Sequence, residues 1–187
     1  MKSIVILASG RGSNAARIIE YFDKNENIRV SAIISDRRAS GALELAKKNG
    51  IDAHYLPKQE IEDGGLSLLL ESLTPDLIVL AGFLRKIPEK VVSSFPDAII
   101  NVHPALLPNH GGPGMYGNHV HTSVIEAGDE ESGITIHYVN EEYDKGQVIA
   151  KFHCPVWPDD TIDSLSKRVQ VLEHRYLPMI IHAILSL

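Results

Sequence analysis

At 187 residues, with 44% hydrophobic and 22% charged residues, the chain has the size and composition of one globular domain, long enough to bury about 70% of the surface its unfolded form exposes. A formal charge of -6 and a pI near 5.8 argue against a nucleic-acid-binding surface or a polybasic membrane site. A single cysteine, Cys154, excludes an internal disulfide framework, and the run after Lys2 is too short for a signal peptide or membrane span, so a cytoplasmic protein is expected.

In chain order, Ser3–Ala8 is a continuous apolar run, the pattern of a strand buried on both faces. Gly10-Arg11-Gly12-Ser13-Asn14 follows, and then a helix is predicted from about Ala15 to Phe22, where Ile18, Ile19 and Phe22 share a face. Val30–Ile34 reads as a second strand. Ser40 caps a helix running to about Lys48 and ended by Asn49-Gly50. Ala53–Leu56 is a short third strand, Leu66–Leu73 the core of another helix, and Leu77–Ala81 a fourth buried strand. A short helix over Pro88–Ser94 leads into a strand that ends on Asn101-Val102-His103-Pro104.

Strand–helix–strand repetition predicts an α/β fold of Rossmann-like type: a mostly parallel sheet with right-handed crossovers and helices on both faces. Further on, Ile134–Val139 and Gln147–Phe152 flank a turn and are expected to add antiparallel strands in the C-terminal half. The final helix starts at Asp160 or Thr161 and carries Leu165, Val169, Leu172, Tyr176, Ile180 and Ile184 as an apolar stripe, with a kink expected at Pro178.

Ligands of such sheets collect beyond the carboxyl ends of the strands, which is where three polar segments fall. The first is Gly10–Ala15. Its glycines let the backbone approach an anion closely, the following helix start offers free N–H groups, and Ser13 and Asn14 add donors, so a phosphate is the natural guest. The same loop satisfies G-x-G-x-x-A, with Asp36 at the end of the second strand, as a dinucleotide-binding module would require. The second is Asn101 with His103, two residues apart and therefore on one face of an extended chain. An amide donor and an imidazole there suit an oxyanion developing on a carbonyl, or form a polar strand end capped by solvent. The third is Asp144, beside Lys145-Gly146: a carboxylate able to orient a histidine or relay a proton, or simply a turn former. His119-Val120-His121 raises the question of zinc, but no cysteine or carboxylate lies at a familiar ligand spacing, and no metal is expected. Gly111–Gly117 reads as a mobile loop bordering a cleft, and the remaining histidines, among them His54, His153 and His182, read as incidental.

Together these residues carry a family resemblance. Asn101-Val102-His103-Pro104-Ala105-Leu106-Leu107-Pro108 and the later Asp-x-Gly at Asp144–Gly146 resemble the formyltransferases that use 10-formyltetrahydrofolate, and within them most nearly the phosphoribosylglycinamide (GAR) formyltransferases of purine synthesis. Leu80–Arg85, His119-x-His121, Ala127–Glu131 and Glu173-His174 match as well, so the resemblance spans essentially the whole chain. It implies a catalytic trio of Asn101, His103 and Asp144, with Asn101 and protonated His103 on the oxyanion and Asp144 sustaining the imidazolium. It also implies a GAR phosphate and ribose site of Gly10, Arg11, Gly12, Ser13, Asn14 and Glu173. Folate would lie on Leu84, Arg85, Lys86 and Ile87 and on Asn140, Glu141 and Asp144, with His121 bordering the reacting centre. The expected organisation is one formyltransferase domain over 1–187, in which 1–100 binds phosphate and substrate and 101–187 carries catalysis and folate binding. Expected partners are the small molecules GAR and 10-formyltetrahydrofolate, with no nucleic acid, no membrane, and a monomer or homodimer. The loop Asn109–Gly117 departs from the family's usual form in being longer and richer in glycine. Two other readings remain open: formyl transfer to an amino sugar or to methionyl-tRNA, the latter expected to need a further C-terminal domain, and a dinucleotide-binding module without turnover.

Overall fold

The computed structural model describes residues 1–186. Five strands, β1 (Lys2–Leu7), β2 (Ile28–Ser35), β3 (Asp52–Tyr55), β4 (Leu77–Leu80) and β5 (Ile99–His103), pair in parallel, and β6 (Glu131–Tyr138) and β7 (Val148–Pro155) add antiparallel to give the order β3-β2-β1-β4-β5-β6-β7. This is the mixed α/β sheet expected from the alternating first half and the paired strands of the second. Residues alternate across it: Ile4 and Ile6 join one core layer, Val5 and Leu7 the other, because successive side chains of a strand point to opposite faces.

The layer on Ile4 and Ile6 is covered by α1 (Ser13–Phe22), α2 (Gly41–Lys48), α6 (Asn118–Ala127) and α7 (Ile162–Leu185). The opposite layer is covered by α3 (Lys58–Glu62), α4 (Gly65–Leu73) and α5 (Glu89–Ser94). The Ser40 hydroxyl caps α2 by accepting from Leu43 N–H, as its sequence position predicts. Helices α3 and α6 have no counterpart in the sequence reading. The first is only 5 residues long, too short to show a period. The second has few apolar residues and reaches the core chiefly through Val120 and Val124.

Helix α7 starts at the predicted place, where Thr161 and Ser164 form a capping box. Asp160 just before it takes both guanidinium nitrogens Nη1 and Nη2 of Arg168, at 2.6 and 2.9 Å, and that partner holds its carboxyl well below the usual carboxylate range. The helix continues as one element through Pro178. Its stripe turns partway along: Leu165 and Val169 are fully buried as expected, but beyond them Leu177 and Ile181 take the centre, while Leu172, Tyr176, Ile180 and Ile184 pack at the margin. The 3.6-residue period makes such a stripe drift around the helix over 24 residues, so one face cannot follow a fixed three–four spacing from end to end. Leu177→Ala is therefore expected to cost about 2–5 kcal/mol in urea unfolding, whereas Val171→Ala, at 64% exposure on the same helix, should change stability by less than about 0.5 kcal/mol.

Candidate active site

The strand order reverses between β1 and β4, and the segments leaving their carboxyl ends part to open a cleft. A cavity of about 450 Å³ lies there. Gly10–Asn14 forms one end of it, Gly82–Ile87 one flank, Asn101–Pro104 the floor, and Asn140 with Glu142–Asp144 the far wall. Glu173 reaches it from α7 and His121 from α6. Of the residues expected to bind substrate or folate, only Glu141 is not in the wall, which passes from Asn140 to Glu142.

At the β1 end, Gly12 takes φ +81°, a left-handed conformation, and a Cβ there would meet Ala42 Cα at 2.9 Å. The loop can thus press against the start of α2 only with glycine at this position. Helix α1 begins at Ser13, earlier than the predicted Ala15, and has no side-chain cap, so the N–H groups of its first turn face the cavity end. Asn14 Nδ2 donates to Glu173 Oε2 at 2.8 Å, and Gln170 Nε2 donates to Ser13 Oγ at 3.3 Å, tying the loop to α7. Asn14 Oδ1 is buried without a partner. Burial raises the pKa of Glu173, and the Asn14 amide only partly opposes it. An unpaired acceptor beside a desolvated carboxylate fits the hydroxyl groups of a sugar, and the free helix start above it fits a phosphate.

The floor is built by strand register. Antiparallel pairing sets Asn101 opposite His137 and His103 opposite Thr135, so four polar side chains meet on one face. Asn101 Nδ2 lies 3.2 Å from His137 Nε2 and 3.5 Å from Asp144 Oδ1. His137 Nδ1 donates to the Tyr138 carbonyl at 2.8 Å, and its Nε2 faces both Asn101 Nδ2 and Asp144 Oδ1, the latter at 3.7 Å. Asp144 Oδ2 is 3.6 Å from His103 Nδ1 and accepts from Gly112 N–H at 2.9 Å. The expected trio is therefore one contact group, and Asp144 bridges the other members of it. Asp144 itself has φ +55°, a conformation that aspartate tolerates better than most residues.

The sequence reading omitted two histidines of this group. His137, at 2% exposure, sits between Asn101 and Asp144. Its signal was available: Thr135 and His137 form an i, i+2 polar pair on an otherwise apolar strand, the same pattern as Asn101 and His103. His110, whose carbonyl lies 2.8 Å from His103 Nε2, had no such signal, because it stands in a loop. His119 stacks edge-on with Tyr116 and is exposed, while His121 is buried with Nδ1 unpartnered. Among the described residues no three His, Cys, Asp or Glu side chains gather as a metal site.

Charge in the floor is set by burial. Burial lowers the pKa of His103, and the Asp144 carboxylate recovers only part of that shift. His121 is lowered as well, by burial and then by its proximity to His103. For Asp144 burial acts upward, but the contacts of His137, His103 and Gly112 together outweigh it and leave the carboxyl below its ordinary value. Burial thus biases His103 toward the neutral ring, and its contacts bias Asp144 toward the carboxylate.

A family model described as formyl transferase matches residues 2–181. The chain belongs to the formyl transferase family. Phosphoribosylglycinamide formyltransferase of Escherichia coli is 37% identical over 96% of this chain and 85% of its own. The chloroplastic enzyme of the same name from Arabidopsis thaliana is 40% identical over 98% of this chain, which spans 65% of that relative's length. This chain spans 61% of the corresponding Vigna unguiculata protein. In three dimensions, the crystal structure of phosphoribosylglycinamide formyltransferase from Anaplasma phagocytophilum superposes with a TM-score of 0.91 at 32% identity, covering 98% of this chain and 86% of the other. No helix of the described residues is long and apolar enough to cross a membrane.

The pKa directions give a direct test. The His103 ring should titrate below 6.5 by NMR, so its contribution to stability is complete above pH 6.5 and declines as pH falls toward the folded value. Asp144→Asn removes the opposing charge and should lower the His103 pKa further; a rise would contradict the arrangement.

Proposed function

We propose that the chain is a phosphoribosylglycinamide formyltransferase that transfers the formyl group of 10-formyltetrahydrofolate to the amine of GAR in purine biosynthesis. The observation that carries the reading is one continuous cavity joining a phosphate-sized helix start to the Asn101–His103–Asp144 group. The named relatives point the same way.

In this reading the first-turn N–H groups of α1 and the Ser13 hydroxyl hold the GAR phosphate, with Gly10, Arg11 and Gly12 shaping the loop. Glu173 and Asn14 Oδ1 take the ribose hydroxyls. The apolar Ile87 and Val139 and the backbone of Leu84–Ile87 and Asn140–Asp144 give the folate ring an apolar slot edged by main-chain donors and acceptors. When bound, 10-formyltetrahydrofolate supplies an acylated nitrogen whose carbonyl carbon the GAR amine attacks. A C–N bond forms to the amine as the bond to the folate nitrogen breaks, and charge develops on the formyl oxygen in between. Asn101 Nδ2 donates to that oxygen. The proton the amine sheds as it adds passes to the Asp144–His103 pair, whose members stand 3.6 Å apart, so that a ring charged by it is balanced by the carboxylate while the oxyanion exists. The pair then returns that same proton to the folate nitrogen as the C–N bond to it breaks.

The organisation in this reading is one formyltransferase domain over 1–187, with 1–100 the phosphate- and substrate-binding half and 101–187 the catalytic and folate-binding half. The protein would act in the cytoplasm as a monomer or homodimer on small molecules, without metal, nucleic acid or membrane. The dinucleotide alternative is weakened at its anchor: Asp36 Oδ2 accepts from Arg85 Nε at 2.9 Å, and the side chain is only 1% exposed, away from the reach of a ribose.

The decisive experiment is turnover with 10-formyltetrahydrofolate and GAR. His103→Ala should lower kcat by about 10²–10³-fold while GAR still binds by calorimetry. Ser13→Ala should raise KM for GAR and leave kcat nearly unchanged. Turnover with methionyl-tRNA or an amino sugar but not GAR, or thermal stabilisation by NAD(P) but not by a folate analogue, would overturn the assignment.

A further inference from the structure

We infer that His110 is a positioning residue for the reaction proposed above, on which this inference rests: clamped by Asp129 and Ser123, it holds its own carbonyl against His103 and the next N–H but one against Asp144. Its side chain lies outside the cavity wall, so it acts through those two residues.

The contacts form a bracket. His110 Nε2 donates to Asp129 Oδ2 at 2.6 Å, and its Nδ1 meets Ser123 Oγ at 2.7 Å. Ser123 belongs to α6, and Asp129 follows its Gly128 cap, with its own N–H donating to the Val124 carbonyl at 3.3 Å. The ring is therefore fixed at two points to the C-terminal end of one helix. From that anchor the backbone reaches back to the floor: the His110 carbonyl stands 2.8 Å from His103 Nε2, and Gly112 N–H stands 2.9 Å from Asp144 Oδ2. Gly111 between them leaves no slack, since a Cβ there would come within 2.4 Å of Leu107 Cδ2 and 3.3 Å of Asp144 Cβ. His110 takes φ +54°, which a side chain rarely adopts without being held.

The consequence for His103 is a fixed tautomer. A carbonyl only accepts, so the neutral ring must carry its proton on Nε2 and keep its lone pair on Nδ1, the nitrogen facing Asp144. The proton taken up during reaction then enters at Nδ1 and points at the carboxylate. Were the carbonyl free to swing away, the resting proton could sit on Nδ1 instead, and the ring would begin the reaction in the wrong form.

The test is His110→Gly, which keeps a backbone angle of +54° accessible but removes the clamp. In the full chain, kcat for formyl transfer should fall about 10–100-fold with KM for both substrates within about twofold. In the free protein, the ¹⁵N-detected His103 ring should change from a single Nε2–H tautomer to a mixture. Asp129→Ala should reproduce both effects, Asp129→Asn, which keeps an acceptor, should restore most of the wild-type behaviour, and the His110→Gly/Asp129→Ala pair should be no worse than either alone. Should His110→Gly not fold, the Asp129 and Ser123→Ala variants carry the same readouts. Unchanged kcat and unchanged tautomer in folded variants overturn the role of His110. A wild-type protein that forms no product from GAR overturns the proposed function instead, and the tautomer comparison still decides the bracket.

Discussion

The site depends above all on the register of one antiparallel pair. Because β6 runs against β5 with Asn101 opposite His137 and His103 opposite Thr135, polar groups far apart in the chain share one buried face. A slip of β6 by one residue would send Thr135 and His137 to the opposite face and bring apolar neighbours to the cavity side. The register is secured from both sides, by Ile100, Val102 and Ile136, which pack in the core beneath, and by Thr135, whose hydroxyl accepts from Leu107 N–H at 3.0 Å and donates to the Ala105 carbonyl at 2.8 Å. Thr135 thereby fixes the path of the chain after His103.

Within that frame, burial and one carboxylate set the electrostatics against each other. Desolvation drives His103 toward the neutral ring, while Asp144 draws it toward the charged one. Burial is the larger of the two, and the nearby carboxylate lowers what it costs the ring to gain a proton during a reaction. Asp144 is held by neighbours from three segments, Asn101 and His103 on β5, His137 on β6 and the Gly112 amide in the intervening loop. That loop, read from sequence as mobile because of its glycines, contributes a structural contact to the floor. Its glycines serve the close approach at Gly111 and the left-handed turns at Gly112, Gly114 and Gly117.

Much of this was legible in the chain. The apolar runs marked the strands, Ser40 and Thr161 marked helix starts, and the i, i+2 pair of Asn101 and His103 at a strand end marked the floor. The glycine loop after the first strand marked the phosphate-sized end. What escaped was the part that depends on neighbours. His137 was passed over because its strand was read for its apolar residues alone. His110 owes its place to Asp129, 19 residues away, and Asp36, a ribose ligand by its spacing, is taken by Arg85, 49 residues on.

The sequence by itself determined the alternation of strands and helices, the mostly parallel sheet and the residue types gathered at its carboxyl edge, since these follow from local periodicity and turn chemistry. Only the tertiary structure decided which polar groups touch, which carboxylates are paired and in which direction burial biases His103. Those outcomes turn on burial and on distances of 3–4 Å between segments remote in the chain, where a single partner moves a proton from one nitrogen to another and local pattern carries no information about it.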